Sequence, residues 1–148
     1  MPLTDLHHIA VRTLDVEATR KFYCDVLGMK EAFRPDLGFP GHWLIMGSTM
    51  IHTVGGEMAT DSKGTWVSGS GAVDHIALGG TGYDDMRDTF RKHGVEWREN
   101  AIPEAKIWQL FVKDPSGVFV EINFDASKEP PGTKGYDAAK ALDPVSKF

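Results

Sequence analysis

The segment Leu6-His7-His8-Ile9-Ala10-Val11 returns 67 positions later as Val73-Asp74-His75-Ile76-Ala77-Leu78. One strand pattern written twice constrains the chain to an internal repeat, two similar modules that pack about a pseudo-twofold axis. Each copy carries a histidine at the same place, His8 and His75, and repeat symmetry is an economical way to aim two imidazoles at one point. What completes such a site has to be sought in the rest of each module.

Module one, about residues 5–54, reads as a strand from Leu6 to Arg12 and a helix from Val16 to Leu27, with Asp15 as N-cap and Gly28 closing it. Further strands follow at Met29–Arg34, Trp43–Met46 and Met50–Val54, the last two joined at Gly47-Ser48. Module two, about residues 73–124, repeats the βαβββ order. Its strand Val73–Leu78 leads to a helix Tyr83–Lys92 closed by Gly94, then to strands near Val95–Glu99, Ile107–Lys113 and Val118–Phe124. The last two meet at Asp114-Pro115-Ser116-Gly117, where Pro sets φ and Gly supplies a left-handed position. Residues 55–72, rich in Gly and Ser, read as a flexible connection or a lid carrying Trp66. The domain is expected to span 1–126, and 127–148 form a tail with a short helix at Tyr136–Leu142, packed on the body or on a second subunit.

Several function classes fall away on composition. A formal net charge of −5 and no Lys/Arg cluster argue against a nucleic-acid partner, although a local pocket charge leaves anionic small substrates open. The single cysteine, Cys24, forbids an intrachain disulfide and points to the cytoplasm. It sits in the helical pattern beside Phe22 and Tyr23 and reads as a packing residue. No signal-peptide pattern or bilayer-length apolar run is present, so no membrane association is expected.

Alternate residues of a strand face opposite sides. The Ile9 and Val11 face belongs to the core, which turns His8, with Ala10 and Arg12, to the concave side; the same parity turns His75 opposite Ile76 and Leu78. In the last strand Val118, Val120, Ile122 and Phe124 form the aliphatic face, leaving Phe119, Glu121 and Asn123 with the histidines. The counterpart of Glu121 in module one is His52, 69 positions earlier. Four repeat-related positions thus carry His8, His52, His75 and Glu121, all metal-competent. Two imidazoles and one carboxylate suit Fe(II), Mn(II), Zn(II), Ni(II) or Co(II), and an extra imidazole shifts the set toward nitrogen-loving metals.

With these strands, the helix end Phe22-Tyr23-Cys24-Asp25-Val26-Leu27-Gly28 and the run Asp114-Pro115-Ser116-Gly117-Val118-Phe119-Val120-Glu121, the chain resembles the vicinal oxygen chelate superfamily. That group includes glyoxalase I, extradiol ring-cleavage dioxygenases, fosfomycin resistance enzymes, methylmalonyl-CoA epimerase and metal-free bleomycin-binding proteins. The resemblance runs from Leu6 to Phe124 and implies an α+β fold, two βαβββ modules forming a curved mixed sheet around a metal chelated by two adjacent substrate oxygens. By position, His8 matches the first ligand, His75 the ligand opening module two and Glu121 the ligand on its last strand. His52 stands where glyoxalase I has Glu and where dioxygenases and fosfomycin enzymes commonly have a non-ligand. Ligand, general base and substrate contact all remain open to it. Arg12 matches the arginine that glyoxalase I sets against the glutathione carboxylate. Gly56 replaces the asparagine expected beside it, which argues against glutathione, and the Arg/Lys-rich C-terminal pattern of fosfomycin enzymes is absent.

Trp43, Trp108 and Phe119 would line the site as an aromatic wall for a planar substrate. His42 could share the pocket mouth, His7 reads as structural, and His93 suits the dipole at a helix C-terminus. The expectation is a homodimeric, divalent-metal-dependent lyase or isomerase of the glyoxalase type acting on a small molecule, with His52 and Glu121 as its proton-handling residues. Extradiol dioxygenation and metal-free small-molecule binding are the rivals.

Overall fold

The computed structural model describes residues 3–148, which fall into two compact units. One runs to Gly69 and includes the Asp114–Gly117 turn; the other comprises Ser70–Lys113 and Val118–Phe148.

The first unit contains β1 (His8–Arg12), α1 (Val16–Lys21), β2 (Lys30–Ala32), β3 (Trp43–Met46) and β4 (Thr49–Val54), in the sheet order β1-β4-β3-β2. β1 pairs parallel with β4, and β2, β3 and β4 pair antiparallel. Val11, Leu44, Ile51 and Thr53 share one face and are buried, so the expected parity holds. Asp15 caps α1 by accepting from the Ala18 backbone N–H at 2.9 Å. The helix then widens into a π turn over Phe22–Val26, and Leu27 N–H reaches back to the Phe22 carbonyl. That turn buries Phe22, Tyr23 and Val26 and brings the Tyr23 hydroxyl to donate to Asp114 Oδ2 at 2.8 Å. Residues 55–69 hold local structure, a 3-10 turn at Gly56–Ala59 and a bridge between Thr60 and Trp66.

The second unit holds β5 (Ile76–Gly80), α2 (Tyr83–His93), β6 (Arg98–Ile102), β7 (Ile107–Lys113) and β8 (Phe119–Asp125), in the order β5-β8-β7-β6. The pairing repeats the first unit, one parallel pair (β5 with β8) and two antiparallel pairs. α2 ends at Gly94, whose φ of 65° an L side chain rarely adopts. Its buried side chains, Tyr83, Arg87 and Phe90, join the core that holds Ile76, Leu110, Val112, Val120, Ile122 and Phe124. Two strands are displaced from the sequence reading. The sixth begins at Arg98 rather than Val95, and His75 stands just before β5 rather than inside it.

A buried carboxylate organises the region where the tail docks. Glu99 is 1% exposed and accepts from the Tyr83 hydroxyl (2.8 Å), Trp97 Nε1 (2.9 Å), Arg87 Nη1 (3.3 Å) and the Asp137 backbone N–H (2.8 Å). The Glu99 carbonyl also takes the Leu142 N–H, and Ala141 bridges in parallel to Glu99 on the β6 edge. Gly135 lies against the Trp108 ring, where an added Cβ would come within 2.6 Å. The helix expected at Tyr136–Leu142 is a single 3-10 turn, Ala138–Lys140, because the tail spends its backbone groups on Glu99 instead of on itself.

Candidate functional site

Register brings His8, Ala10 and Arg12 to the same face as His52 and Trp43, since Ala10 pairs with His52 and His52 with Trp43. There the three rings stack. His8 lies on one side of His52 with centroids 4.0 Å apart and planes at 11°; Trp43 lies 4.6 Å from His52 at 9°. His52 Nε2 is buried and has no hydrogen-bond partner. An unpartnered buried polar atom costs about 1–3 kcal/mol, a cost removed by an ion, a water or a substrate group that reaches it. Burial first, then the charges of His8, His7 and Arg34, push the His52 pKa below its ordinary value, so the ring is neutral near pH 7. His8 Nδ1 lies 2.8 Å from His7 Nδ1, a contact that requires one ring to donate and the other to accept. With His8 as donor, its Nε2 carries the lone pair. His7, expected to be structural, is thus the residue that meets the His8 ring at Nδ1 and leaves its Nε2 unengaged by that contact.

The other pair is tied more fully. His75 Nε2 lies 3.4 Å from Glu121 Oε2. The remaining ring nitrogen, Nδ1, is 2.8 Å from Asp74 Oδ2, and that carboxylate is held below its ordinary pKa by His75 first and Lys147 second. The remaining Glu121 oxygen, Oε1, accepts from Gln109 Nε2 at 2.9 Å and Asn123 Nδ2 at 2.6 Å. Asn100 in turn donates to Gln109 Oε1 at 2.7 Å. A ligating imidazole whose other nitrogen meets a carboxylate, and a ligating carboxylate whose other oxygen is hydrogen-bonded, form the usual outer layer of a protein metal site. Phe119, 5% exposed, meets His75 edge to face at 6.5 Å and stacks on Phe111 at 5.5 Å.

The donor chemistry suits a divalent ion, with imidazole nitrogens and one carboxylate, and the second atoms of His8, His75 and Glu121 meet protein partners. Each unit by itself offers two of the four donors, and no group of three His, Cys, Asp or Glu side chains arranged to hold a metal occurs among the described residues.

Of the expected substrate contacts, Trp43 and Phe119 stand on the faces of His52 and Glu121, and Arg12 is exposed on the face of His8. Trp108 is a correction. It pairs with Phe124 in β8, which places it on the face opposite Glu121, where it packs on Tyr83 at 5.3 Å and covers Gly135. Its neighbour Gln109 takes the place expected of it. Asp74, Gln109 and Asn123 were not singled out as site residues, and counting register back across the Asp114–Gly117 turn would have found Gln109. Because Phe111 pairs with Glu121, the odd-numbered residues of β7 share its face.

Residues 5–122 match the model of the Glyoxalase/Bleomycin resistance protein/Dioxygenase superfamily. A protein of Arabidopsis thaliana named Glyoxylase I 4 is 29% identical over 124 residues, 81% of this chain and 70% of that one. Among solved structures, a glyoxalase family protein from Bacillus anthracis superposes with a TM-score of 0.68 at 22% identity, covering 84% of this chain and 97% of that one. The lactoylglutathione lyase of Agrobacterium tumefaciens gives 0.64 at 17% identity, covering 86% and 98%. The chain belongs to the glyoxalase/bleomycin resistance protein/dioxygenase superfamily, and its two four-stranded mixed sheets are the α+β vicinal oxygen chelate fold. Enzymes and binding proteins both use this fold, so chemistry must be argued from the site. Among the described residues no helix is long and apolar enough to cross a membrane.

Proposed function

We propose that the protein is a divalent-metal-dependent lyase or isomerase acting on a small substrate held through two adjacent oxygens. The observation that carries this reading is the pair His75 Nε2 and Glu121 Oε2, 3.4 Å apart with their other atoms committed to Asp74, Gln109 and Asn123. Two neighbouring ligands of one ion, each about 2.0–2.2 Å from it, stand at roughly this separation. Glu121 and His75 would hold the ion together with His8, and His52 would complete the set or serve beside it. When bound, the ion supplies Lewis-acid stabilisation to negative charge developing on the chelated oxygens.

This chain's own groups do the rest. His52 is neutral and its Nε2 is unspent, so it accepts a proton from the carbon next to the chelated oxygens and returns it to the adjacent one. Trp43 and Phe119 supply apolar walls that keep water from the substrate and strengthen the electrostatics inside. Arg12 stands exposed on the His8 face, suited to an anionic end of the substrate. A homodimer is part of the proposal, with the donor set drawn from one chain or half from each of two, and the lone cysteine suits a reducing cytoplasm.

The test begins with metal analysis of protein purified without added metal, followed by titration with Zn(II), Ni(II), Mn(II) and Co(II). Stoichiometric binding that fails in His75→Ala supports the reading, whereas no bound ion and no binding on titration makes the protein a metal-free binder. Activity is assayed on hemithioacetals and, after anaerobic Fe(II) loading, on a catechol panel with oxygen uptake as readout. Oxygen uptake without hemithioacetal turnover replaces the lyase with a ring-cleaving dioxygenase. A monomeric mass at micromolar concentration removes the dimer.

A further inference from the structure

Beyond β8, the segment leaves the Glu99 tether on the β6 edge and crosses the Glu121 face of the second unit's sheet. Lys140 Nζ lies 4.0 Å above the Trp97 ring, and Ala141 and Leu142 pair with Glu99. Asp143 then folds the chain back. Its Oδ1 accepts the N–H groups of Val145 (2.8 Å) and Ser146 (3.1 Å), and its carbonyl accepts that of Lys147 (2.8 Å). From this turn the Phe148 ring meets a row of side chains that share one face. It lies under the Arg98 guanidinium (5.1 Å) of β6 and the Lys113 ammonium (4.8 Å) of β7, and against Phe119 (6.1 Å) of β8. Lys147 completes the crossing, its ammonium 5.5 Å from the Phe119 ring and 3.3 Å from Asp74 Oδ2 beside β5.

Four strands about 4.8 Å apart span roughly 14 Å, a distance six residues cover easily. Lys147 holds a φ of 70°, a left-handed conformation that L residues adopt rarely and at a cost. Such strain persists where surrounding contacts over-determine it. Here those contacts are the Asp143 turn on one side and the Phe148 ring on the other.

The chemically telling atom is Asp74 Oδ2. It takes both the Lys147 ammonium and the His75 ring. Asp74 is 60% exposed and, left alone, its carboxylate could turn into water. An ammonium seated on the same oxygen keeps the rotamer in which the carboxylate meets His75 Nδ1, and so fixes the ring orientation that aims Nε2 at Glu121.

We infer that residues 143–148 form a strap over the Glu121 face of the second unit's sheet, in which Lys147, held in place by Phe148, is a positioning residue for His75. The inference rests on the metal-site reading for its consequence in ion binding, but not for the orientation of His75. The test uses the full chain and three variants, Lys147→Met, Lys147→Arg and Phe148→Ala. The first readout, taken without metal, is the ring ¹⁵N shifts of His75, assigned by their loss in His75→Gln. Wild type shows a protonated, hydrogen-bonded Nδ1; Lys147→Met and Phe148→Ala shift its signal toward that of a solvent-exposed ring, and Lys147→Arg restores it. The second readout is Zn(II) affinity by chelator competition. It falls about three- to tenfold in Lys147→Met, less than the 10–100-fold of a residue directly bonded to a ligand, and recovers in Lys147→Arg. Unchanged ring shifts in both Lys147→Met and Phe148→Ala overturn the strap. A wild-type protein that binds no Zn(II) sinks the proposed function, while the ring shifts still decide the strap.

Discussion

In the first unit the repeated histidine stacks on a second imidazole; in the second it faces a carboxylate. His52, between His8 and Trp43, has a buried nitrogen with no partner, whereas Glu121 has one oxygen on two amide donors and the other at His75. Equivalent strand positions have diverged in electrostatic purpose. A carboxylate held by two amide donors is fixed in place and suits ligation. A desolvated imidazole stays neutral, and suits moving a proton.

The sharpest way to break that contrast is to remove each residue and measure both quantities. If His52 handles the proton, His52→Ala lowers kcat by about 10²–10⁴-fold while ion affinity stays within a few-fold. A parallel fall in affinity would make His52 a ligand and erase the distinction. Next in size is a difference in stability. Glu99 binds a buried cation and a tail in the second unit, so Glu99→Ala leaves Arg87 short of charge compensation and costs about 3–5 kcal/mol in urea unfolding. In the first unit, Tyr23→Phe removes one buried bond to Asp114, which also accepts the Ser116 N–H, and costs about 1–2 kcal/mol. Between these lies Gln109→Leu, which frees Glu121 Oε1 from one donor and lowers ion affinity about 10-fold or somewhat more, with the urea midpoint little changed.

The smallest effect is on pH dependence. Burial, then Asp114, raises the Tyr23 pKa well above its ordinary value of 10.0, so the folded state holds that proton more tightly than the unfolded chain. The contribution is fully present below pH 10 and is lost as pH rises toward the folded value. Stability therefore falls above pH 10 in wild type and falls less steeply in Tyr23→Phe; equal slopes in the two proteins would remove this role for the phenol.

Much of this was legible because a strand has period two. Alternation with the aliphatic positions placed His8, His52 and Glu121 on their faces, and the repeat supplied the correspondence between modules. At Trp108 it was aromatic size that suggested a substrate wall, whereas register sends that ring to the opposite face, against Tyr83, and gives the site face to Gln109. His7 and Asp74 were adjacent in sequence to the histidines they orient, but neighbours in a strand point to opposite faces, and only the irregular backbone before β1 and β5 lets each ring meet the side chain beside it. The strap was beyond reach. Its contacts join residues 147 and 74, and no local periodicity encodes such a pair.

Synthesis gives the Glu99 tether a further consequence. The first unit is complete once Asp114–Gly117 has left the ribosome, since that turn is the last piece it contains. The second must wait for residues 135–142, because Arg87 bonds to the Gly135 carbonyl and Glu99 to Asp137 and Leu142. A nascent chain extended past β8 but short of residue 135 carries a finished first unit and a four-stranded second sheet whose β6 edge still lacks its cover. That open strand is what a chaperone, or a neighbouring nascent chain, would meet first.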